Sequence, residues 1–193
     1  MPAPNDPRLE PGRVYRTRDL SAWGANAPRL AKRLVREGAL VPLAHGLFAH
    51  PRRGRFGLVP PSDEELMRAL LGGAPFLFTG PERWNALGLG STAVFAAPLV
   101  YNTKRSGTFD FGRRRFVLRR VAFPPDPTPE WFAIDLFEHA DQVGASRADL
   151  AKALARAIAR GAFDQERLAE MAKRYGARAT REMVRSALES GAA

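Results

Sequence analysis

The segment from Asn26 to Phe48 constrains the fold of this chain most, because it combines a two-faced helix with a hairpin. Leu30 and Leu34 fall on one side of the predicted helix, together with Ala31 and Val35. The opposite side carries four cations and no acid: Arg29, Lys32, Arg33 and Arg36. A helix divided in this way buries one side and presents a basic surface that suits a polyanion.

Local signals on both sides of this helix predict a helix-turn-helix. A short helix is expected from Thr17 to Trp23, ended by Gly24. Pro28 falls in the first turn of the next helix, where its missing N–H is tolerated, and Gly38 ends it. The turn at residues 24–26 has the expected length and contains glycine. Leu20 and Trp23 are then expected to pack against Leu30 and Leu34.

A hairpin follows the helices and completes the prediction of a winged helix-turn-helix that binds DNA. Its strands are expected at residues 39–43 and 46–50, before a basic loop at 51–55. Arg29 and Arg33 are expected to face base edges, since arginine bonds guanine bidentately, whereas Lys32 and Arg36 would meet phosphates. The predicted DNA-contacting residues are Asn26, Arg29, Lys32, Arg33, Arg36, His45, Arg52, Arg53 and Arg55. The alternatives are a solvated basic helix face and, for His45, a plain turn residue.

The positive charge of the chain is concentrated in its N-terminal part. With 30 Lys and Arg against 20 Asp and Glu, the net charge is +10. Residues 1–57 contribute +7, residues 58–125 contribute +4 and residues 126–193 contribute −1. A field of this sign attracts nucleic acid and makes binding sensitive to salt, although a charge that serves only solubility is the alternative.

Composition and the positions of proline and glycine predict an α+β protein with two domains. Residues 1–57 form the predicted winged helix-turn-helix head, in which the proline-rich residues 1–13 are an extended arm. A linker is expected at residues 58–61. Residues 62–193 form the predicted mixed domain, with a helix and β strands in 62–125 and helices in 126–193.

The same positions resemble the winged-helix head of the AbiEi-type antitoxins. The matching residues of the head are Asp19-Leu20, Gly24, Leu30, Leu34-Val35, Gly38-Ala39-Leu40 and His45-Gly46-Leu47-Phe48. Past the head, residues 79–89 resemble a Gly…Ala-Leu…Gly-Leu helix of that family. The basic hairpin and the terminal helices follow in matching order.

This resemblance implies the antitoxin of a type IV toxin–antitoxin operon linked to abortive phage infection. Such a protein binds inverted repeats upstream of its own operon and represses transcription, and its remaining domain counters a nucleotidyltransferase-like toxin. The chain departs from the family in one respect: the proline-rich arm leaves no room for the helix that usually precedes the short one. A helix at residues 62–72, the C-terminal helices or the partner would have to cover that side of the head.

A second basic segment, residues 108–121, is expected to form a hairpin near Gly112. Phe109, Phe111, Phe116 and Leu118 share one face by alternation. Its arginines are candidates for a secondary nucleic-acid contact or for an RNA surface, or they are solvated. They are Arg113, Arg114, Arg115, Arg119 and Arg120. An RNA-binding or protein-binding basic module is therefore the alternative to an operator-binding repressor.

The sequence carries no motif for catalysis, a cofactor or a resident metal. A Walker loop, Gly-x-Gly-x-x-Gly, Gly-x-Ser-x-Gly and HExxH are all missing, and the chain has no cysteine. The cluster at Asp135, Glu138, His139 and Asp141 has the spacing of a metal face but is predicted to be a solvated acidic helix face.

No apolar run reaches the length of a membrane span, and residues 1–12 lack the apolar core of a signal peptide, so a cytoplasmic protein is expected.

Overall fold

The computed structural model describes residues 7–191 and confirms the mixed α+β class. The strands are β1 (Val14–Arg16), β2 (Val41–Ala44), β3 (Leu47–Ala49), β4 (Arg52–Gly54), β5 (Gly57–Val59), β6 (Phe76–Thr79), β7 (Leu99–Asn102), β8 (Gly107–Phe111) and β9 (Arg114–Arg120). The α-helices are α1 (Ala27–Arg36), α2 (Asp63–Leu71), α3 (Pro81–Asn85), α4 (Pro129–Glu138), α5 (Arg147–Ala159), α6 (Gln165–Tyr175) and α7 (Arg178–Gly191). Short 3-10 helices span Thr17–Trp23 and Ala140–Gln142.

Contacts between residues divide the chain into two compact units. The first unit comprises Met1–Phe76 and Thr108–Arg115, and the second comprises Leu77–Gly107 and Phe116–Ala193. This division differs from the predicted boundary at residues 58–61, because α2 contacts β1 and so belongs to the first unit. Residues 7–13 contain neither helix nor strand, as expected for an arm; the rest of that predicted arm lies outside the described residues.

The strands of the described residues form three sheets. The first has the order β1-β3-β2 and is antiparallel, with Val14 opposite Ala49 and Arg16 opposite Leu47. The second is the antiparallel pair of β4 and β5. The third has the order β6-β7-β9-β8, in which β7 runs parallel to β9.

Helix α1 begins and ends where the local signals predict. The side chain of Asn26 accepts a hydrogen bond from the backbone N–H of Arg29 at 3.0 Å and caps the helix. Gly38 has a φ of +72°, and the backbone N–H groups of residues 39 and 40 return to the carbonyl of Leu34 at 2.9 and 3.1 Å. This left-handed residue turns the chain toward β2.

The core of the first unit confirms the predicted packing of the two N-terminal helices. Leu20 of the 3-10 helix is fully buried and forms one apolar cluster with the buried side of α1. The indole of Trp23 lies at the margin of this cluster, with its ring edge against Tyr15 at a centroid distance of 5.9 Å. The buried members are Tyr15, Leu20, Ala27, Leu30, Ala31, Leu34 and Leu40.

Helix α2 packs against β1, the first strand of the first unit. Ser62 caps the helix by accepting from the backbone N–H of Glu65 at 3.2 Å. The Oε1 atom of Glu65 then accepts from the backbone N–H of Val14 at 3.1 Å. The sequence left open whether a helix at residues 62–72, the C-terminal helices or a partner covers this side of the head. Within the first unit, it is α2 that contacts β1.

The predicted basic loop at residues 51–55 and the predicted linker at 58–61 are wrong in part. Arg52–Gly54 and Gly57–Val59 pair as β4 and β5, which leaves Arg55 and Phe56 as the hairpin tip. Gly57 has a φ of +119°, a conformation that favours glycine and closes this short turn. Only Pro60 and Pro61 separate β5 from the cap of α2.

The second unit is built around α4, whose residues from Glu130 to Phe137 are all buried. Helices α6 and α7 both contact α4, and α5 packs along α7. Helix α7 begins at Arg178, and Thr180 is buried in its first turn. At the start of α7, Oε1 of Glu138 accepts a hydrogen bond from the backbone N–H of Ala177 at 2.8 Å.

Within residues 7–191, none of the helices combines the length and the apolarity that crossing a bilayer requires.

We expect the replacement of Leu66 by alanine to destabilise the first unit by about 2–5 kcal/mol, because it leaves a cavity beneath α2. Leu66 is fully buried. Urea unfolding measures the loss, and hydrogen exchange should accelerate in the amides of β1. The matched control is Glu64→Ala on the exposed side of α2, which should change stability by less than about 0.5 kcal/mol. Unchanged exchange in β1 would contradict a supporting role for α2.

Candidate nucleic-acid interface

The exposed side of α1 brings together the predicted helix residues. Arg29, Lys32 and Arg36 are exposed, and Arg33 is half-buried. These side chains line one open depression with Asn26 and the edge of Leu30. Because Leu30 and Leu34 are buried in the core, the cationic side chains extend from a helix that is fixed on its other side.

Among the described residues, Glu37 contacts this cationic side. The Nε atom of Arg33 lies 3.9 Å from Oε1 of Glu37, and both side chains are about half exposed. Such surface ion pairs are worth little and exchange readily for a phosphate or a base edge. Among the described residues, no carboxylate lies within ion-pair distance of Arg29, Lys32 or Arg36. The helix therefore presents a net positive surface.

Asn26 and His45 lie at turns rather than on the helix face itself. The side-chain oxygen of Asn26 is occupied by the helix cap. His45 is exposed in the turn between β2 and β3, where the next residue, Gly46, has a φ of +69°. The carbonyl of Gly46 accepts from the backbone N–H of Thr17 at 2.9 Å, which ties this turn to the start of the 3-10 helix.

The predicted arginines at 52, 53 and 55 lie on the hairpin of β4 and β5, and all three are exposed. The guanidinium of Arg55 lies over the ring of Phe56, with a distance of 5.6 Å to the ring centroid. Phe56 is 96% exposed, and Leu58 is 62% exposed. The sequence did not single out these apolar residues, because the hairpin that displays them was predicted as a loop and a linker.

The five arginines of the second basic segment do not form one uniform surface. Arg114 donates to the carbonyl of Pro61 at 2.9 Å and to Oδ1 of Asp63 at 2.7 Å. Arg115 donates to Oδ1 of Asp110 at 2.7 Å. The remaining three, Arg113, Arg119 and Arg120, are exposed. Residues 113–115 belong to the first unit, whereas 119 and 120 belong to the second.

A buried carboxylate in the second unit forms a separate polar cluster. Asp135 is 5% exposed. Its Oδ2 atom accepts from Oγ1 of Thr79 at 2.5 Å and from Nε1 of Trp84 at 2.9 Å, while Oδ1 accepts from the hydroxyl of Tyr101 at 2.7 Å. Segments far apart in sequence thus meet at one carboxylate.

The imidazole of His139 completes this cluster. Its Nδ1 atom lies 2.9 Å from the backbone carbonyl oxygen of Asp135, and its Nε2 atom lies 3.2 Å from the hydroxyl of Tyr101. The ring stacks on Trp84 at a centroid distance of 4.9 Å. Because a carbonyl oxygen only accepts, this geometry assigns the Nδ1 proton to His139.

Burial governs the protonation of the cluster. It raises the pKa of the Asp135 carboxyl, although the hydrogen bonds from Thr79 and Tyr101 and the charge of His139 partly offset this effect. Burial and the neighbouring Asp135 also raise the pKa of Tyr101, whose phenol therefore stays protonated. A cavity of about 360 Å³ adjoins the cluster and is lined by Tyr101, His139 and Tyr175, among others.

The prediction of a solvated acidic face at residues 135–141 is therefore wrong in part. Glu138 and Asp141 are exposed, but Asp135 is buried and His139 is half-buried. One signal was present in the sequence, since Asp135 is the single charged residue in the apolar run from Trp131 to Phe137. A carboxylate in such a run is buried and needs hydrogen-bond donors, but those donors cannot be identified from local spacing.

Comparison with known proteins identifies a similar fold and no family. No protein-family model matches the sequence, and no curated protein does. Among solved structures, the crystal structure of the RV2827C protein from Mycobacterium tuberculosis is similar, with a TM-score of 0.53 and 18% sequence identity. The match covers 98% of this chain and 80% of that one. At this identity the likeness concerns the fold alone.

We expect Asp135→Asn to alter how stability depends on pH. Because the pKa of Asp135 is raised from 3.8 in the folded chain, the folded state holds a proton that the unfolded state has released. The free energy of unfolding then falls as pH rises from about 4 through the raised pKa. The neutral asparagine lacks this contribution, so urea unfolding across that range should show a smaller fall for the variant. Asp141→Asn, on the exposed side, should retain the wild-type profile; parallel profiles for wild type and Asp135→Asn would contradict the assignment.

Proposed function

We propose that residues 14–49 form a winged helix-turn-helix that binds duplex DNA through α1. The observation that carries this proposal is the division of α1 into a buried apolar side and an exposed cationic side. A recognition helix must be fixed from behind while its basic side enters the major groove, which admits one helix.

The order of the elements supports the proposal. Strand β1 leads into the 3-10 helix, which packs on α1, and β2 and β3 follow as a hairpin. The hairpin returns to β1 in the sheet order β1-β3-β2. In this interpretation the 3-10 helix takes the place of the first helix of the motif, α1 is the recognition helix, and the turn at His45 is the tip of the wing.

The distribution of charge supports a polyanionic ligand. No acidic residue stands between Glu37 and Asp63, a stretch that contains the wing and the β4–β5 hairpin with its three arginines. Residues 1–57 carry a net charge of +7. By contrast, two arginines of the second basic segment already bond carboxylates, which favours α1 over that segment as the main nucleic-acid contact.

We further propose that this binding represses transcription in the cytoplasm, as in the AbiEi-type antitoxins that the sequence resembles. The ligand would be inverted repeats near the promoter of the chain's own operon, and bound protein would block transcription from it. The second unit would then counter a nucleotidyltransferase-like toxin. We assign no catalytic step to this chain. A nucleotidyltransferase gene next to the gene of this chain would support its pairing with such a toxin.

Replacing Arg29 or Arg33 by alanine should relax the preference for operator DNA over a scrambled duplex of equal length. Each loss should be about 1–3 kcal/mol, because an arginine that reads a base contributes to discrimination. Lys32→Ala and Arg36→Ala should weaken binding to both duplexes equally, because the side chains that they remove would contact phosphates. Each should also lower the salt slope, the steepness with which log affinity falls against log salt concentration, by about 1. Fluorescence anisotropy over a series of salt concentrations measures both effects.

The matched control for this series is Arg185→Ala, an exposed arginine on α7 of the second unit. This variant should change neither the preference for operator DNA nor the salt slope. Equal losses on both duplexes for Arg29→Ala and Arg33→Ala would show that these residues contact phosphate only. Tight binding without salt dependence would exclude the proposed interface.

A further inference from the structure

The tip of the β4–β5 hairpin exposes an aromatic ring to solvent. Phe56 is the most exposed of the large apolar residues described, at 96%. It sits in a two-residue tip between Gly54 and Gly57, which face each other across the strands. At Gly54 an added Cβ would lie 2.7 Å from a side-chain methyl of Val59, so this position has little room for another residue.

The surroundings of this ring are cationic. Arg53 pairs with Leu58 across the strands, and both residues lie on one face of the hairpin by alternation. The guanidinium of Arg55 lies 5.6 Å from the centroid of the Phe56 ring. An exposed apolar tip among cations, in a stretch of chain without acids, fits a partner that combines negative charge with flat apolar surfaces. Stacked base pairs between two phosphate chains have this combination.

The base of the hairpin is anchored to the chain just before β1 and to the segment between α1 and β2. Residue 50, just before β4, exchanges backbone hydrogen bonds with residues 12 and 13 at 2.8 and 2.9 Å. The Nδ1 atom of His50 lies 2.6 Å from the carbonyl oxygen of Ala39, in the segment between α1 and β2. The hairpin is thus held at its base while its tip remains exposed.

We propose that this hairpin inserts Phe56 between two base pairs of the duplex that α1 binds, from the minor-groove side. Apolar wedges of this kind unstack a base step and kink the helix, and flanking arginines hold the nearby phosphates. The inference rests on the proposed DNA-binding function and assigns it a second contact, in which Phe56 deforms the duplex and Arg53 and Arg55 contact its backbone.

The test uses the full chain and duplexes from the upstream region that carry 2-aminopurine at successive positions, with a dye at each end. Wild-type protein should raise 2-aminopurine fluorescence at one step and shorten the end-to-end distance. Phe56→Ala should abolish both signals and weaken binding by about tenfold. The salt slope should remain unchanged, because no charge is lost. Phe56→Trp should restore the signals.

Two matched variants separate the tip from the rest of the hairpin. Leu58→Ala removes an exposed apolar side chain away from the tip and should retain the fluorescence signal. Arg53→Ala should lower the salt slope by about 1, and it should also retain the fluorescence signal. Circular dichroism verifies that each variant is folded.

The outcomes distinguish this inference from the function on which it rests. If the wild-type protein binds DNA in a salt-dependent way but changes neither the 2-aminopurine fluorescence nor the end-to-end distance, the insertion of Phe56 is overturned and DNA binding is not. Absence of duplex binding at low salt would overturn both. The inference is also overturned if Phe56→Ala leaves DNA binding unchanged but converts an oligomer to monomers in sedimentation, since the tip then covers a second copy of the chain.

Discussion

The packing of Leu30 and Leu34 against Leu20 is the contact on which the candidate interface depends. Helix α1 has 10 residues, and a helix of this length is marginal when isolated in water. Burial of its apolar side supplies the missing stability and sets the direction in which the opposite side chains extend. The cations of α1 keep a common orientation because the helix beneath them cannot rotate.

The first unit is completed by a helix that lies well beyond α1 and the β2–β3 hairpin in sequence. Through Glu65, α2 satisfies the backbone N–H of Val14, and its buried residues extend the apolar interior at β1. A buried donor left without an acceptor costs free energy, so this hydrogen bond favours one placement of α2.

The second unit relies on a polar contact of a different kind. Asp135 collects donors from β6, α3 and β7, and the ring of His139 stacks on one of those donors. A fully bonded network in a low-dielectric interior fixes the relative positions of its members, whereas a partly bonded one is costly. This cluster gives a structural reason for an acidic residue in the apolar run of α4.

Much of the fold could be predicted because its signals are local. Asn26, Pro28 and Gly38 mark the bounds of α1 through capping, a tolerated missing N–H and a left-handed turn, each of which depends on a few neighbouring residues. Ser62 caps α2 by the same local chemistry, through the backbone N–H of Glu65. The β4–β5 hairpin was missed, because the strands are three residues each and carry arginine and glycine rather than the alternating pattern of a half-buried strand.

The sequence by itself determined the order of helices and strands apart from the β4–β5 hairpin, the two-sided character of α1 and the excess of positive charge near the N-terminus, since these follow from residue spacing and composition. Only the tertiary structure decided that α2 joins β1, that Arg114 is bound by Asp63 and that Asp135 gathers Thr79, Trp84 and Tyr101. Each of these contacts joins residues at least 34 positions apart. Such pairings depend on how the chain closes on itself, which the pattern of neighbouring residues does not encode.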